Sequence, residues 1–165
     1  MTTPRELKEA IRRTVADTHP IEPVKPESVA SILEREMETT IQNWLALVEQ
    51  DAELTCIPLS RHERAGHLPK LLRDLILRLR LDAGSAIPVS MAARDHGEIR
   101  YQEGYNASMV VEESRFLQVS IFGTLQRNLS SVDIGKALMD AVTIADECNL
   151  QLKQAMLSSV TSATG

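Results

Sequence analysis

The side chains most able to do chemistry lie in one stretch, HGEIRYQEGY, at residues 96–105. Helical spacing places His96 and Arg100 on a face that is otherwise apolar, so both polar side chains are expected to point inward. A buried guanidinium is strongly destabilising unless a carboxylate pairs with it. The apolar positions on that face are Val89, Ala92 and Ala93.

Arg100 therefore needs a carboxylate partner, and the sequence offers Glu112 or Glu113 at the start of the next helix. Tyr105, at the break between the two helices, can hydrogen-bond into the same network. Two interpretations stay open: a polar network that only fixes helix register, or one that contacts a ligand. In either case His96 is a candidate pH-sensitive element, since histidine titrates near about pH 6.5.

A second histidine pair, His62 and His67, suggests zinc, but its spacing argues against a site. Zinc protease helices carry H-E-x-x-H because residues four apart share a face. Here the histidines diverge by roughly 140° around a helix, and Pro69 disturbs the helix further. The Glu-x-x-His motif of di-iron bundles is absent from the sequence. We predict no metal site, and an exposed polar helix start at these two histidines.

The sequence also argues against cofactor and enzyme classes. A haem-binding, globin-like sensor would use His96 as its axial ligand. However, haem pockets favour aromatic packing, and the chain has one Trp, two Tyr and two Phe. No nucleophile elbow, phosphate loop or kinase signature occurs. The sequence thus predicts no catalytic residue, no cofactor and a non-enzymatic role.

Composition and charge argue against two classes of binding partner, nucleic acids and membranes. The 165 residues carry a formal net charge of −5, and the basic residues from Lys70 to Arg80 are interleaved with leucines, so no nucleic-acid partner is expected. The sequence begins without an apolar signal core and contains no long uncharged apolar stretch. We therefore expect a cytoplasmic protein without a membrane partner.

Apolar residues recur at helical spacing along most of the chain. This predicts an all-α bundle of five to six helices with a globin-like or four-helix-bundle core and a long C-terminal helix. The core is expected to centre on the leucine-rich helix around Pro69. Three parts are predicted: an amphipathic helix and proline-rich linker over 1–26, a helical sensory and dimerisation domain over 27–158, and a flexible tail over 159–165. Within the domain, the later helices are predicted over 88–103, over 106–128 and from 131 or 133 onward.

The C-terminal helix carries an apolar seam. Its spacing alternates between three and four residues, close to the period of a coiled coil, and it lasts about three heptads. We interpret this seam as a homodimer interface. Its members are Leu138, Val142, Ala145, Cys148, Leu152 and Met156.

Several stretches of the chain resemble one known family. They are Ile41-x-x-Trp44, His67-Leu-Pro-Lys-Leu-Leu72, His96-Gly97-x-x-Arg100-x-x-x-Gly104-Tyr105 and Glu113-x-Arg115-x-Leu117, followed by 144–156 in the last helix. Together they resemble the RsbT co-antagonist RsbRD-type N-terminal domain, which also occurs at the N-terminus of bacterial sensor histidine kinases. The resemblance covers residues 28–158, and the HG-x-x-R-x-x-x-GY element is its most specific part.

The resemblance implies an all-helical sensory module that receives a signal, dimerises and passes a change along its last helix to a kinase or phospho-acceptor domain. Such modules belong to stress-response proteins of the stressosome type and to two-component systems. Because the chain ends at Gly165, where an output domain would begin, we expect a stand-alone regulator or a fragment. The residues themselves leave two alternatives open: a ligand-binding sensor, with haem as one version, and a purely structural adaptor bundle.

Overall fold

The computed structural model describes residues 26–81, 85–86 and 89–163, and these form an all-α bundle, as predicted. The helix and linker predicted upstream of Pro26 lie outside the described residues. Glu27 and Val132 form an isolated parallel bridge. The eight helices of the described ranges are α1 Val29–Arg35, α2 Met37–Val48, α3 Ala52–Thr55, α4 Arg61–Ala65, α5 Leu68–Arg80, α6 Met91–Gln102, α7 Ala107–Arg127 and α8 Ile134–Ala163.

The described residues form more helices than the five to six predicted, because the chain over residues 29–65 is divided into more and shorter helices than its apolar spacing indicates. Glu36, with φ −98° and ψ 15°, separates α1 from α2. The short α3 is capped by Asp51, whose side chain accepts a hydrogen bond from the Leu54 amide. Ser60 and Glu63 form a capping box at α4, as their spacing predicts. These caps satisfy amides that so short a helix leaves without internal partners.

The leucine-rich face of α5 lies in the core, as predicted. Around it, α1 packs on α5, α2 packs on α7, and α8 packs on α5, α6 and α7. Burying side chains of this size stabilises the fold by roughly 1.5–3 kcal/mol each, so this face is a main source of stability. The buried residues of α5 are Leu68, Leu71, Leu72, Leu75 and Ile76.

Two glycines determine how closely α6 packs on α8 and where α6 ends. A Cβ added at Gly97 would lie 2.0 Å from the carbonyl oxygen of Ala155 on α8, so only glycine allows this approach. Gly104 ends α6 with φ +87°, in the left-handed region that favours glycine. Both glycines of the HG-x-x-R-x-x-x-GY element therefore serve backbone geometry.

The last helix is longer than predicted. It runs to Ala163, so the helix continues into the segment for which a flexible tail is predicted, 159–165. The Ser158 hydroxyl lies 2.9 Å from the Arg94 carbonyl oxygen, which ties this end of α8 to α6. None of the described helices is both long and apolar enough to cross a membrane.

Candidate functional site

Four side chains from three helices meet in the interior, and we call them the buried ionic cluster: His67, His96, Arg100 and Glu113. His67 is the residue that begins α5, His96 and Arg100 lie one turn apart on α6, and Glu113 faces them from α7. His96, Arg100 and Glu113 are 7%, 0% and 2% exposed, and His67 is partly buried. Charged groups this deeply buried must be compensated by one another.

Arg100 has a partner for each guanidinium nitrogen. Nε donates to Glu113 Oε2 at 2.9 Å, Nη1 to Glu103 Oε2 at 2.6 Å, and Nη2 to the Arg64 carbonyl oxygen at 2.6 Å. The guanidinium carbon also lies 4.7 Å from the centre of the Tyr105 ring. Burial alone would lower the pKa of Arg100, but Glu113, Tyr105 and Glu103 together outweigh burial and raise that pKa. Arg100 is therefore charged and fully satisfied.

The two carboxylate oxygens of Glu113 have different surroundings. Its Oε2 accepts the hydrogen bond from Arg100 and lies 3.5 Å from His96 Nε2. Its Oε1 is buried and makes no hydrogen bond of ordinary length with any residue that the structure describes. Burial raises the pKa of Glu113, although Arg100 and the nearby Tyr105 hydroxyl oppose the shift. A buried carboxylate oxygen without a partner is rare in folded proteins and marks a position where a further group can bind.

The two histidine rings lie face to face. The His67 and His96 centroids are 3.8 Å apart with 14° between the ring planes, and His67 meets Trp44 edge to face at 5.9 Å. Burial, reinforced by Arg100, lowers the pKa of His96 to about 3. Burial, His96 and Arg100 together hold the pKa of His67 well below its ordinary value. Both imidazoles are thus neutral near neutral pH, and Arg100 carries the positive charge that faces Glu113.

Both histidines line two cavities. An inner cavity of about 30 Å³, otherwise mostly apolar, also reaches Glu113 and four residues of α8. An outer groove of about 380 Å³ also exposes Lys70, Asp95 and Glu103. The inner cavity has room for about one or two water molecules. It has no room for a macrocycle, so it does not support haem bound at His96.

No protein-family model, curated protein or solved structure matches this chain. The resemblance to the RsbRD-type domain therefore rests on the quoted stretches themselves. The structure adds one observation about those stretches: Trp44, His67, Arg100 and Glu113, each from a different stretch, lie together. Trp44 Nε1 donates to the Glu113 carbonyl oxygen at 3.0 Å, which joins the first stretch to the cluster.

The residues predicted to form a polar network come together with one exception. His96, Arg100, Tyr105 and Glu113 are all buried at one junction. Glu112 does not join them, because adjacent residues of a helix point about 100° apart and only one of the two glutamates can face α6. The Glu112 carboxylate instead accepts from Arg115 Nε at 2.9 Å near the surface.

His67 contradicts the prediction of an exposed helix start, whereas His62 is exposed as predicted. The prediction failed because it tested only whether these two histidines share a face with each other. His67 precedes the buried Leu71 by one helical turn, and that spacing is the signal that it faces the core.

Arg64 is a further buried residue that the sequence reasoning missed. It is 5% exposed, and its Nη1 donates to the Tyr105 hydroxyl at 3.1 Å. The guanidinium also donates to the carbonyl oxygens of Leu54 and Ile57, at 3.0 and 2.7 Å. Arg64 thereby fixes the loop before α4 against the cluster. No spacing signal marks it, because α4 is too short for a periodic pattern.

The structure divides the predicted dimer seam into two halves. The first half is exposed, with 72% of Leu138 and 69% of Val142 accessible. The second half packs against the core of the chain itself: Cys148 is 2% exposed, and Leu152 and Met156 are partly buried. Helical spacing is the same for both kinds of packing and cannot separate them. The inward-facing residues are Cys148, Leu152 and Met156, and the partly buried Ala145 lies between the halves.

The cluster also contains a set of metal-ligand atoms. One potential ligand atom from each of His67, His96 and Glu113 lies within 4.8 Å of the other two. The sequence argued against a metal site because His62 and His67 do not share one face of a helix. The fold instead brings His67 close to His96, which lies on a different helix. Spacing along the chain cannot show a contact between two helices.

Proposed function

We propose that this chain is a non-catalytic signal-sensing and dimerisation module of a bacterial stress-response or two-component signalling protein. The observation that carries the proposal is the convergence of four distant sequence stretches on one buried ionic cluster. Trp44, His67, Arg100 and Glu113 each contact at least one other member of this set. These stretches are the ones that resemble the RsbRD-type sensory domain.

The composition of the cluster favours sensing over a purely structural role. Apolar side chains of similar volume commonly stabilise a fold as well as a buried ion pair does, or better. A scaffold therefore has no need of Arg100 and Glu113 in its interior. An unpartnered Glu113 oxygen beside a small cavity gives these side chains room for a second arrangement, which a signal can favour.

The cluster is in contact with the helix that leads towards the C-terminus. Cys148, Gln151, Leu152 and Ala155 of α8 line the inner cavity together with His67, His96 and Glu113. Gln151 Nε2 also donates to the carbonyl oxygen of Leu71 on α5, at 3.1 Å. A rearrangement of the cluster therefore acts directly on α8, which supports the proposed route to an output domain.

The first half of α8 supports the dimerisation part of the proposal. Ile134, Leu138 and Val142 follow one another at single-turn spacing and are 64%, 72% and 69% exposed, and Met139 beside them is 73% exposed. A contiguous exposed apolar stripe of this kind marks an interaction surface. We assign it to a second copy of the chain, because the same stripe on two copies is self-complementary about a two-fold axis.

A kinase fusion tests the proposal with two matched variants. The full chain is joined in front of a bacterial histidine kinase core so that α8 continues into the kinase dimerisation helix, and autophosphorylation is measured. Glu113→Gln removes the buried charge and should change the rate severalfold, whereas Glu112→Gln, its near-surface neighbour, should not. Equal rates for the two variants and the unmodified fusion would contradict the proposal.

A further inference from the structure

We infer that His67, His96 and Glu113 form a binding site for a divalent first-row transition-metal ion of the zinc type. Two imidazole nitrogens and one carboxylate oxygen are a ligand set that such ions take in proteins. Potential ligand atoms of the three residues lie within 4.8 Å of one another. The inference does not depend on signalling, since ion binding requires neither dimerisation nor an output domain.

The strongest single indication is the free oxygen of Glu113. Among the described residues, the buried Oε1 makes no hydrogen bond of ordinary length, with the Tyr105 hydroxyl as a nearby donor, while Oε2 accepts from Arg100 Nε at 2.9 Å and lies 3.5 Å from His96 Nε2. An ion at roughly 2.0–2.2 Å from Oε1 would satisfy it. Metal-ligating carboxylates are commonly held by a hydrogen-bond donor in this way, so Arg100 orients the ligand.

The positive charge of Arg100 is compatible with a nearby cation. Arg100 Nη1 is paired with Glu103 Oε2 at 2.6 Å, so Arg100 keeps a carboxylate of its own when Glu113 binds the ion.

The surrounding cavities provide access and a further ligand. The outer groove carries both histidines and three carboxylates against two cationic side chains, an excess of one negative charge that favours entry of a cation: Glu63, Asp95 and Glu103 against Lys70 and Arg100. The inner cavity of about 30 Å³ accommodates about one water molecule as a fourth ligand. Three protein ligands and one water make a tetrahedral site with an exchangeable position.

Binding requires one imidazole ring to turn. Rings that are stacked at 3.8 Å with 14° between their planes hold their nitrogen lone pairs in two separate, nearly parallel planes, whereas the lone pairs of two ligands must meet at one ion. Turning His67 breaks this stack and alters its edge-to-face contact with Trp44. Because Trp44 is the single tryptophan of the chain, its fluorescence reports the rearrangement directly.

The test is a titration of the chelator-treated full chain with Zn²⁺, followed by calorimetry and by Trp44 fluorescence. We expect one ion per chain, with both signals saturating together. His67→Gln and His96→Gln should each weaken binding by roughly tenfold or more, and His62→Gln, an exposed histidine of the same groove, should leave it unchanged. Circular dichroism establishes that each variant is folded. A helical His67→Gln chain suffices if the more deeply buried His96→Gln does not fold.

Three results would overturn the inference: no zinc binding at about 100 µM, binding without a change in Trp44 fluorescence, or binding that His62→Gln abolishes and His67→Gln does not. The Leu138→Glu variant separates this inference from the proposed function. It should remove the dimer and leave zinc binding intact, so either idea can fail while the other stands.

Discussion

Arg100 connects three parts of the fold through one guanidinium: its own helix α6, Glu113 on α7 and the Arg64 carbonyl on α4. Replacing it with Met leaves the Glu113 charge buried without its partner. We expect Arg100→Met to reduce the free energy of unfolding by about 3–5 kcal/mol, measured by urea denaturation. The control is Arg115→Met, which breaks an exposed pair with Glu112 and should reduce the free energy of unfolding far less. Equal losses would show that the Arg100 charge is not needed for stability.

Glu147 gives a pH-dependent prediction away from the cluster. It is 4% exposed and accepts a hydrogen bond from Gln151 at 3.0 Å. Burial raises the pKa of Glu147 above 4.5, although Gln151 and Arg78 oppose the shift. A raised folded-state pKa means that its stabilising contribution is present below the unfolded pKa and is lost as the pH rises through the folded pKa.

Glu147→Gln should therefore be more stable than the wild type near neutral pH, and the difference should shrink as the pH falls through the raised folded-state pKa towards 4.5. Melting temperatures at a series of pH values measure it. Glu112→Gln is the control with the opposite expectation, because Arg115 lowers the pKa of Glu112. A Glu147→Gln variant that is no more stable than the wild type at neutral pH would contradict the assignment.

The α6–α8 contact yields a prediction at the scale of elements. A Cβ at position 97 would lie 2.0 Å from the Ala155 carbonyl oxygen, so Gly97→Ala must force the two helices apart. We expect a loss of about 1–3 kcal/mol from such overpacking, larger than the gain of about 1 kcal/mol from helix propensity. Gly123→Ala on α7 is the control, because the nearest atom lies 3.6 Å away. It should raise the melting temperature, and an equal rise for Gly97→Ala would contradict the close approach.

The longer helices could be predicted from the sequence because each has an apolar face and a local start signal. The α5 helix follows its leucines, and α7 begins after Asn106, whose side chain caps the Met109 amide. The bend at Glu36 and the single-turn α3 were missed, because packing and caps fix such short segments without periodicity. The spacing from Leu138 to Met156 could not separate the exposed half of the seam from the half that packs on the core, because one helical pattern fits both intrachain and interchain contacts.

The part of the site that could be predicted from the sequence is the pairing of a buried arginine with a carboxylate. A guanidinium expected inside the core requires a carboxylate, and this requirement identified Glu113 before any coordinates, although it could not exclude Glu112. His67 and Arg64 come to the cluster through the packing of α4 and the start of α5. The spacing of His67 from Leu71 shows that His67 faces the core, but no pattern within the chain shows that it meets His96 there, and none marks Arg64.

At the scale of the whole molecule, the exposed stripe on α8 predicts the oligomeric state. Leu138→Glu places a charge in the stripe and should convert a dimer to a monomer, which light scattering coupled to gel filtration detects. Met91→Glu is the control, since Met91 is 59% exposed at the start of α6, away from the stripe. A wild-type chain that is monomeric at about 100 µM, or a dimeric Leu138→Glu variant, would contradict the assignment.

The measurement that tests the coupling between the cluster and α8 most directly is amide hydrogen exchange of Glu113→Gln against Glu112→Gln. Neutralising Glu113 should change the exchange rates of α8 amides over 145–156, which line or adjoin the inner cavity. Neutralising Glu112 should alter only nearby amides of α7. If α8 exchanges identically in both variants and the wild type, the cluster does not communicate with the last helix.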